Sequence, residues 1–118
     1  MATRGPLEQT VMELLWATPD ARSVADVLEE LNKERDLAYT TVMTVLDRLA
    51  KKGMVTRERV ERAWRYLPAE SQDVVVARDL VETLEGVPET VRRHALRRFC
   101  DSLPEAERLA LLKADSAT

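Results

Sequence analysis

The spacing of apolar residues changes at Gly53, and this change constrains the fold of the 118-residue chain more than any other feature. Before Gly53, apolar residues recur at helical spacing, whereas the residues after it fit two short strands. The strands are predicted over residues 54–60 and 64–67, and residues 61–63 form the turn between them. Helices followed by a single hairpin predict a mainly α fold with a small β-hairpin.

Three amphipathic helices are predicted before the hairpin. The first covers about residues 7–17, and the second opens at Ser23, whose hydroxyl can form a capping box with Asp26. The third covers about residues 39–52 and ends at Gly53, which suits the left-handed conformation of a helix C-terminus. Three short helices followed directly by a hairpin are the arrangement of a winged helix-turn-helix.

Three further short helices are predicted after the hairpin, separated by Gly86–Pro88 and by Leu103–Pro104. Their apolar stripes are too extensive to be buried on so small a domain, so we expect a second copy of the chain to cover them. The chain is therefore predicted to divide into a winged-helix domain over 1–69 and a helical dimerisation tail over 70–118. The predicted dimerisation residues are Val74, Val81, Leu84, Val91, Leu96, Phe99, Leu109 and Leu112.

The charge of the chain is unevenly distributed. The net charge of −3, taken as a whole, argues weakly against a nucleic-acid partner. Residues 35–66, however, hold eight basic and four acidic side chains, a net charge of +4, against ten basic and seventeen acidic elsewhere, a net charge of −7. A basic centre between acidic ends is expected when one face meets phosphate and the remainder stays solvated.

The third predicted helix separates an apolar face from a polar one. At about 100° per residue, one side holds Val42, Val45, Leu46 and Leu49, and the other holds Thr40, Thr44, Asp47, Arg48 and Lys51, with Thr41 and Met43 on the flanks. Threonine can hydrogen-bond base edges and offer a methyl group to thymine, while arginine can bind guanine through two hydrogen bonds. We therefore expect the polar side of this helix to enter the major groove of DNA.

The predicted DNA contacts fall into two classes. The residues expected to read bases are Thr40, Thr41, Met43, Thr44 and Arg48. The residues expected at phosphates, which supply affinity without sequence information, are Tyr39, Lys51, Lys52, Arg57, Arg59, Arg62 and Arg65. The position of Tyr39 fits a phosphate contact and ordinary packing within the fold equally well.

The sequence shows few features of a catalytic site. His94 is the only histidine, and no serine or cysteine nucleophile is arranged around it, so no catalytic residue is predicted. The single cysteine, Cys100, cannot form a cysteine-based metal site, and we expect neither a metal nor a cofactor. Cys100 is expected to be a small buried hydrophobic residue, with a redox sensor as the alternative. Trp64 is expected to anchor the hairpin to the core, with stacking on a base as the alternative.

No apolar run approaches the roughly 20 residues that span a bilayer, so no membrane insertion is predicted. The first ten residues also lack the apolar stretch of a signal peptide. Together with the expected DNA partner, these features predict a cytoplasmic, nucleoid-associated protein.

Several stretches resemble the BlaI/MecI penicillinase-repressor family of transcriptional regulators. They are Leu7–Trp16, Ala38–Leu49, Lys51–Gly53 and Arg65–Tyr66, within a similarity that spans roughly residues 5 to 68. The resemblance implies a homodimer that represses β-lactamase or related genes from an inverted repeat with TACA and TGTA half-sites. Matched by position, Thr40, Thr41, Thr44 and Arg48 correspond to the DNA contacts of the family's recognition helix.

The resemblance also implies a switch. In the family, a membrane-bound sensor-protease pathway leads to cleavage of the tail, often at an Asn-Phe bond. The nearest counterpart is Arg98–Phe99, so the switch would require a different protease or is absent. Two other functions remain open: a winged-helix module that binds protein, and a ligand-responsive regulator of the MarR type.

Overall fold

The computed structural model describes residues 5–113, within which the chain forms six α-helices and three β-strands. In chain order they are α1 (Pro6–Trp16), β1 (Arg22–Ser23), α2 (Val24–Leu31), α3 (Tyr39–Lys51), β2 (Val55–Val60), β3 (Ala63–Pro68), α4 (Gln72–Glu85), α5 (Glu89–Ser102) and α6 (Glu105–Leu112). The described chain forms two compact units, residues 5–78 and 79–113. The predicted fold class, mainly helical with a small hairpin in a winged helix-turn-helix, is confirmed.

The first unit is held together by one hydrophobic core. Helices α1, α2 and α3 contribute most of it, and β2 and β3 each add one buried residue. The core residues are Val11, Met12, Leu15, Val24, Val27, Leu31, Val42, Val45, Leu46, Leu49, Val55 and Tyr66. Burying one such large apolar side chain stabilises the fold by about 1.5–3 kcal/mol, so this cluster sets the positions of the three helices.

Two predicted helix boundaries are formed by the expected local contacts. At the start of α2, the Asp26 amide donates to Ser23 Oγ at 3.1 Å, and the Ser23 amide donates to Asp26 Oδ2 at 3.0 Å. These reciprocal bonds are the capping box. After α3, Gly53 adopts a φ of 77°, which favours glycine because a side chain would be strained there.

The hairpin β2–β3 is antiparallel, and we call it the wing. Its two turn residues, Glu61 and Arg62, have φ values of 51° and 71°, which match the right-handed twist of the flanking strands. The sequence missed β1, which pairs with β3 to complete a sheet in the order β1-β3-β2. A strand of two residues is too short to show an alternating pattern, so only the tertiary contact reveals it.

The start of α4 packs within the first unit. Val75 is buried, and the indole Nε1 of Trp16 donates to the Glu70 carbonyl oxygen at 3.0 Å. Glu70 also forms an ion pair with Arg78. The segment between β3 and α4 is therefore tied to α1 by a hydrogen bond.

The second unit leaves its apolar side chains uncovered. No residue between 79 and 113 is buried. Val91, Leu96 and Phe99 on α5 are each about half exposed, and Leu112 on α6 is 78% exposed. Cys100 is also exposed, so the expectation of a buried cysteine was wrong: it lies on a helix with no covering layer in this chain. Among the described helices, none is long and apolar enough to cross a membrane.

Candidate nucleic-acid interface

Helix α3 is fixed by its apolar face. Val42, Leu46 and Leu49 are completely buried, as the spacing of the sequence predicted, and Val45 is nearly so. Since these residues cover one side of α3, the helix cannot rotate without exposing them to water. The opposite side is therefore presented at a defined angle.

Six exposed residues of α3 fall into two stripes, each lining its own cleft. Thr40, Thr41, Thr44 and Arg48 line one cleft of about 450 Å³, together with residues 5–8 at the start of α1. Tyr39 and Met43 line a second cleft of about 300 Å³, whose other walls include Arg62 and Trp64 of the wing. The structure thus brings together four of the five residues predicted to read bases and places Met43 against the wing.

The hydroxyl of Thr44 has a specific orientation. It donates to the Thr40 carbonyl oxygen at 2.8 Å, one turn earlier in α3. Its proton is therefore occupied, and what Thr44 offers outward is an acceptor oxygen and a methyl group. Such a group can accept from the amino group of adenine or cytosine, or contact the methyl group of thymine.

The predicted phosphate contacts differ in how they are held. Lys51 pairs with Asp47 at 3.2 Å, and Arg57 lies 3.8 Å from the same carboxylate. Arg65 pairs with Asp26 at 3.4 Å, which links the wing to the start of α2. Within residues 5–113, Arg48, Arg59 and Arg62 form no ion pair, and Tyr39 is half exposed.

Lys52 is held most firmly. Its ammonium group lies 2.8 Å and 3.2 Å from the two carboxylate oxygens of Glu8, which is only 9% exposed. Glu8 also accepts from the Gly5 amide at 3.0 Å, at the start of α1. The hydrogen bond from Lys52 is the main reason that the pKa of Glu8 is lowered, and the Gly5 amide adds to it. The carboxylate therefore connects the start of α1 to the end of α3.

Sequence reasoning did not identify Glu8 as a site residue. The available signal was a glutamate three residues after a residue that can cap a helix, which is half of a capping box. That pattern predicts the bond to Gly5 but not the contact with Lys52, which lies 44 residues further along the chain.

The expectation that Trp64 anchors the wing was wrong, because Tyr66 does so instead. Tyr66 is 3% exposed, while Trp64 is 41% exposed and lies farther out along β3. The guanidinium carbon of Arg57 lies 4.5 Å from the centroid of the Trp64 ring, and that of Arg59 lies 5.5 Å from it. Both distances are within the range of a cation–π interaction.

Comparison with known proteins connects this geometry to one family. The model of the penicillinase repressor family matches residues 4–114. The transcriptional regulator BlaI of Mycobacterium tuberculosis H37Rv is 43% identical over 111 residues, which cover 93% of this chain and 80% of that protein.

One solved structure supports the same assignment, and a second shows a similar fold. The solution structure of Bacillus licheniformis BlaI, in its monomeric form in complex with the blaP half-operator, is 26% identical with a TM-score of 0.51, and the match covers 61% of this chain and 87% of that one. A MarR family protein from Bacillus stearothermophilus, 17% identical with a TM-score of 0.53 over 98% of this chain and 73% of that one, shows likeness of fold alone. The resemblance noted in the sequence is confirmed: the chain belongs to the penicillinase repressor family.

Proposed function

We propose that this chain is a transcriptional repressor that places α3 in the major groove of operator DNA. The observation that carries the proposal is the stripe formed by Thr40, Thr41, Thr44 and Arg48, which is exposed along one cleft while the opposite side of α3 is buried. The relative solved with a half-operator adds support. Because the family is one of repressors, the chain is not an enzyme, as predicted.

In this proposal, the stripe and the wing contact different parts of the DNA. The threonines and Arg48 meet base edges, and Met43 contacts the same groove from the cleft beside the wing. Phosphate contacts come from the predicted residues Tyr39, Lys51, Lys52, Arg57, Arg59, Arg62 and Arg65. Of these, Lys52 has to share its ammonium group with Glu8, so we expect it to contribute least.

The proposed active form is a homodimer on an inverted repeat. The exposed apolar side chains of α4, α5 and α6 would form the interface. The proposed division is a DNA-binding domain (1–69) and a dimerisation tail (70–118). Two reading helices would then enter major grooves about 34–36 Å apart, one helical turn of DNA. The proposed half-sites are TACA and TGTA, and the proposed place of action is the cytoplasmic nucleoid.

Relief of repression would come from weakening the tail. Linking two half-sites raises the effective concentration for the second contact, so loss of the dimer lowers operator affinity. Arg98–Phe99 is the proposed point of cleavage, by a protease that a membrane sensor controls. The bond lies inside α5, so cleavage would require local unfolding of that helix.

The testing experiment is a fluorescence-anisotropy titration of the purified chain against a duplex with a TACA/TGTA inverted repeat and a scrambled duplex. We expect tight, selective and salt-sensitive binding. Arg48→Ala should lower affinity for the repeat by about 1–3 kcal/mol and relax its specificity. Arg93→Ala is the matched control, because that arginine pairs with Glu89 on α5.

Each other outcome has a defined meaning. Equal losses on both duplexes would make Arg48 a phosphate contact and remove it from the base-reading set. Weak, unselective binding by the unaltered chain would refute the operator half-sites. Absence of binding to both duplexes would favour a protein-binding module, and release by a small molecule would favour a regulator of the MarR type.

A further inference from the structure

One face of the wing is buried at its inner end and exposed at its outer end. In the pairing of β2 with β3, Arg57 lies opposite Tyr66 and Arg59 lies opposite Trp64. Side chains alternate between the two faces of a strand, so these four residues share a face with Val55. The inner part of that face, at Val55 and Tyr66, is buried in the core. The outer part holds two arginines and an exposed tryptophan.

The outer part is held together by the Trp64 ring. The guanidinium groups of Arg57 and Arg59 lie 4.5 Å and 5.5 Å from its centroid. Asp47 of α3 approaches Arg57 to 3.8 Å, beyond the usual distance of a hydrogen bond. The ring is therefore the contact that the two arginines have in common, while Asp47 touches only one of them.

Stacking restricts an arginine without using its hydrogen-bond donors. A planar guanidinium that lies against a ring still directs its N–H groups outward in its own plane, where they can bind phosphate oxygens. An arginine free in solvent has to lose its rotamer freedom when it binds, and this loss weakens binding. Arg57 and Arg59, held 4.5 Å and 5.5 Å from the centroid of the Trp64 ring, have lost part of that freedom already.

We propose that Trp64 is a positioning residue that holds Arg57 and Arg59 ready for the phosphates of DNA. The inference rests on the proposed function, because it concerns the affinity of the same interface. Trp64 acts through the two arginines and reads no base. Its effect is therefore the same for every duplex sequence, unlike the effect of Arg48.

The test compares Trp64→Leu with the unaltered chain by anisotropy on the TACA/TGTA duplex and on the scrambled duplex. Ordering one long side chain at an interface lowers affinity by a factor of about two to ten, so two arginines predict a loss of about five- to a hundredfold on both duplexes. The slope of affinity against salt should stay unchanged, because both positive charges remain. Trp64→Phe should restore part of the affinity through its ring.

Two controls separate positioning from a general loss of structure. Val60→Ala removes an exposed apolar side chain on the opposite face of the wing and should leave affinity unchanged. Arg59→Ala should reduce the salt slope by about 0.9, the value for one phosphate contact. In the Trp64→Leu variant, the factor by which Arg59→Ala lowers affinity should be at least three times smaller than in the unaltered chain, because the ring no longer holds the arginine.

The outcomes are distinguishable. If the unaltered chain binds neither duplex, the proposed function fails, and this inference fails with it. If the unaltered chain binds and Trp64→Leu binds equally well, the inference alone is refuted. Independent effects of Trp64→Leu and Arg59→Ala would also refute it, since a purely structural role predicts no coupling between them.

Discussion

The carboxylate of Glu8 provides a direct test of how the reading helix is held. Glu8→Gln keeps the size of the side chain and removes its charge. In the unaltered protein, the carboxylate accepts from the Gly5 amide and from the Lys52 ammonium group, and the side chain of Glu8 is only 11% exposed. The substitution therefore weakens the link between α1 and α3 and leaves the hydrophobic core intact.

The magnitude follows from the burial of the two partners. Breaking a fully buried ion pair costs about 3–5 kcal/mol, because the remaining charge is left without solvent. The Lys52 side chain is 42% exposed, so water can solvate its ammonium group once the pair is lost. The glutamine amide also retains one neutral hydrogen bond, which has roughly half the strength of a charged one. We expect Glu8→Gln to lower the free energy of unfolding by about 1–2 kcal/mol.

Thermal unfolding followed by circular dichroism measures this change, and Glu13→Gln serves as the control because Glu13 lies exposed on the same helix. For a domain of this size, the loss corresponds to a decrease of about 5–15 °C in Tm. The control should unfold at nearly the temperature of the unaltered protein. A Tm for Glu8→Gln equal to that of the control would refute the structural role of the Glu8–Lys52 pair.

The pH dependence identifies the charge as the cause. Lys52 and the Gly5 amide lower the pKa of Glu8 from its ordinary value of 4.5, so the carboxylate stabilises the fold fully above that pH. This contribution is lost as the pH falls from 4.5 through the pKa of the folded state. The stability difference between the two proteins should therefore be constant near neutral pH and shrink in acid. A constant difference at every pH would show that shape, and not charge, is responsible.

Two further predictions concern the end of the reading helix and the proposed dimer. Gly53→Ala should lower the free energy of unfolding by about 1 kcal/mol, because a side chain at φ 77° is strained even though nothing lies within 4 Å of the added carbon. Chemical denaturation measures this loss, and unchanged stability would contradict the prediction. Leu96→Asp should convert the proposed dimer to a folded monomer, because Leu96 is 41% exposed in the single chain and would be covered by the second copy. Analytical ultracentrifugation measures this change, and a persistent dimer would exclude Leu96 from the interface.

Tertiary packing divides the exposed side of α3 between two clefts. A helical wheel places Thr41 and Met43 on the flanks of the polar side of α3, and both were predicted to read bases. In the structure, the wing approaches one side of the exposed face and the start of α1 the other, so Tyr39 and Met43 line one cleft and the threonines line another. Which exposed residues share a cleft depends on the neighbours of the helix.

The sequence by itself determined the features that depend on neighbouring residues. The buried face of α3, the capping box of Ser23 and Asp26, the left-handed Gly53 and the hairpin all follow from spacing within one turn or one strand pair. Such patterns are readable because helical and strand periods differ, and because few residue types tolerate a cap or a positive φ.

Only the tertiary structure decided the contacts between residues that are distant along the chain. Glu8 and Lys52 are 44 residues apart, and β1 pairs with β3 across an interval that holds α2, α3 and β2. Trp64 was expected in the core, yet Tyr66 occupies that position and Trp64 holds two arginines. Local patterns cannot specify these contacts, because they arise only when the hydrophobic core has brought the helices and the sheet together.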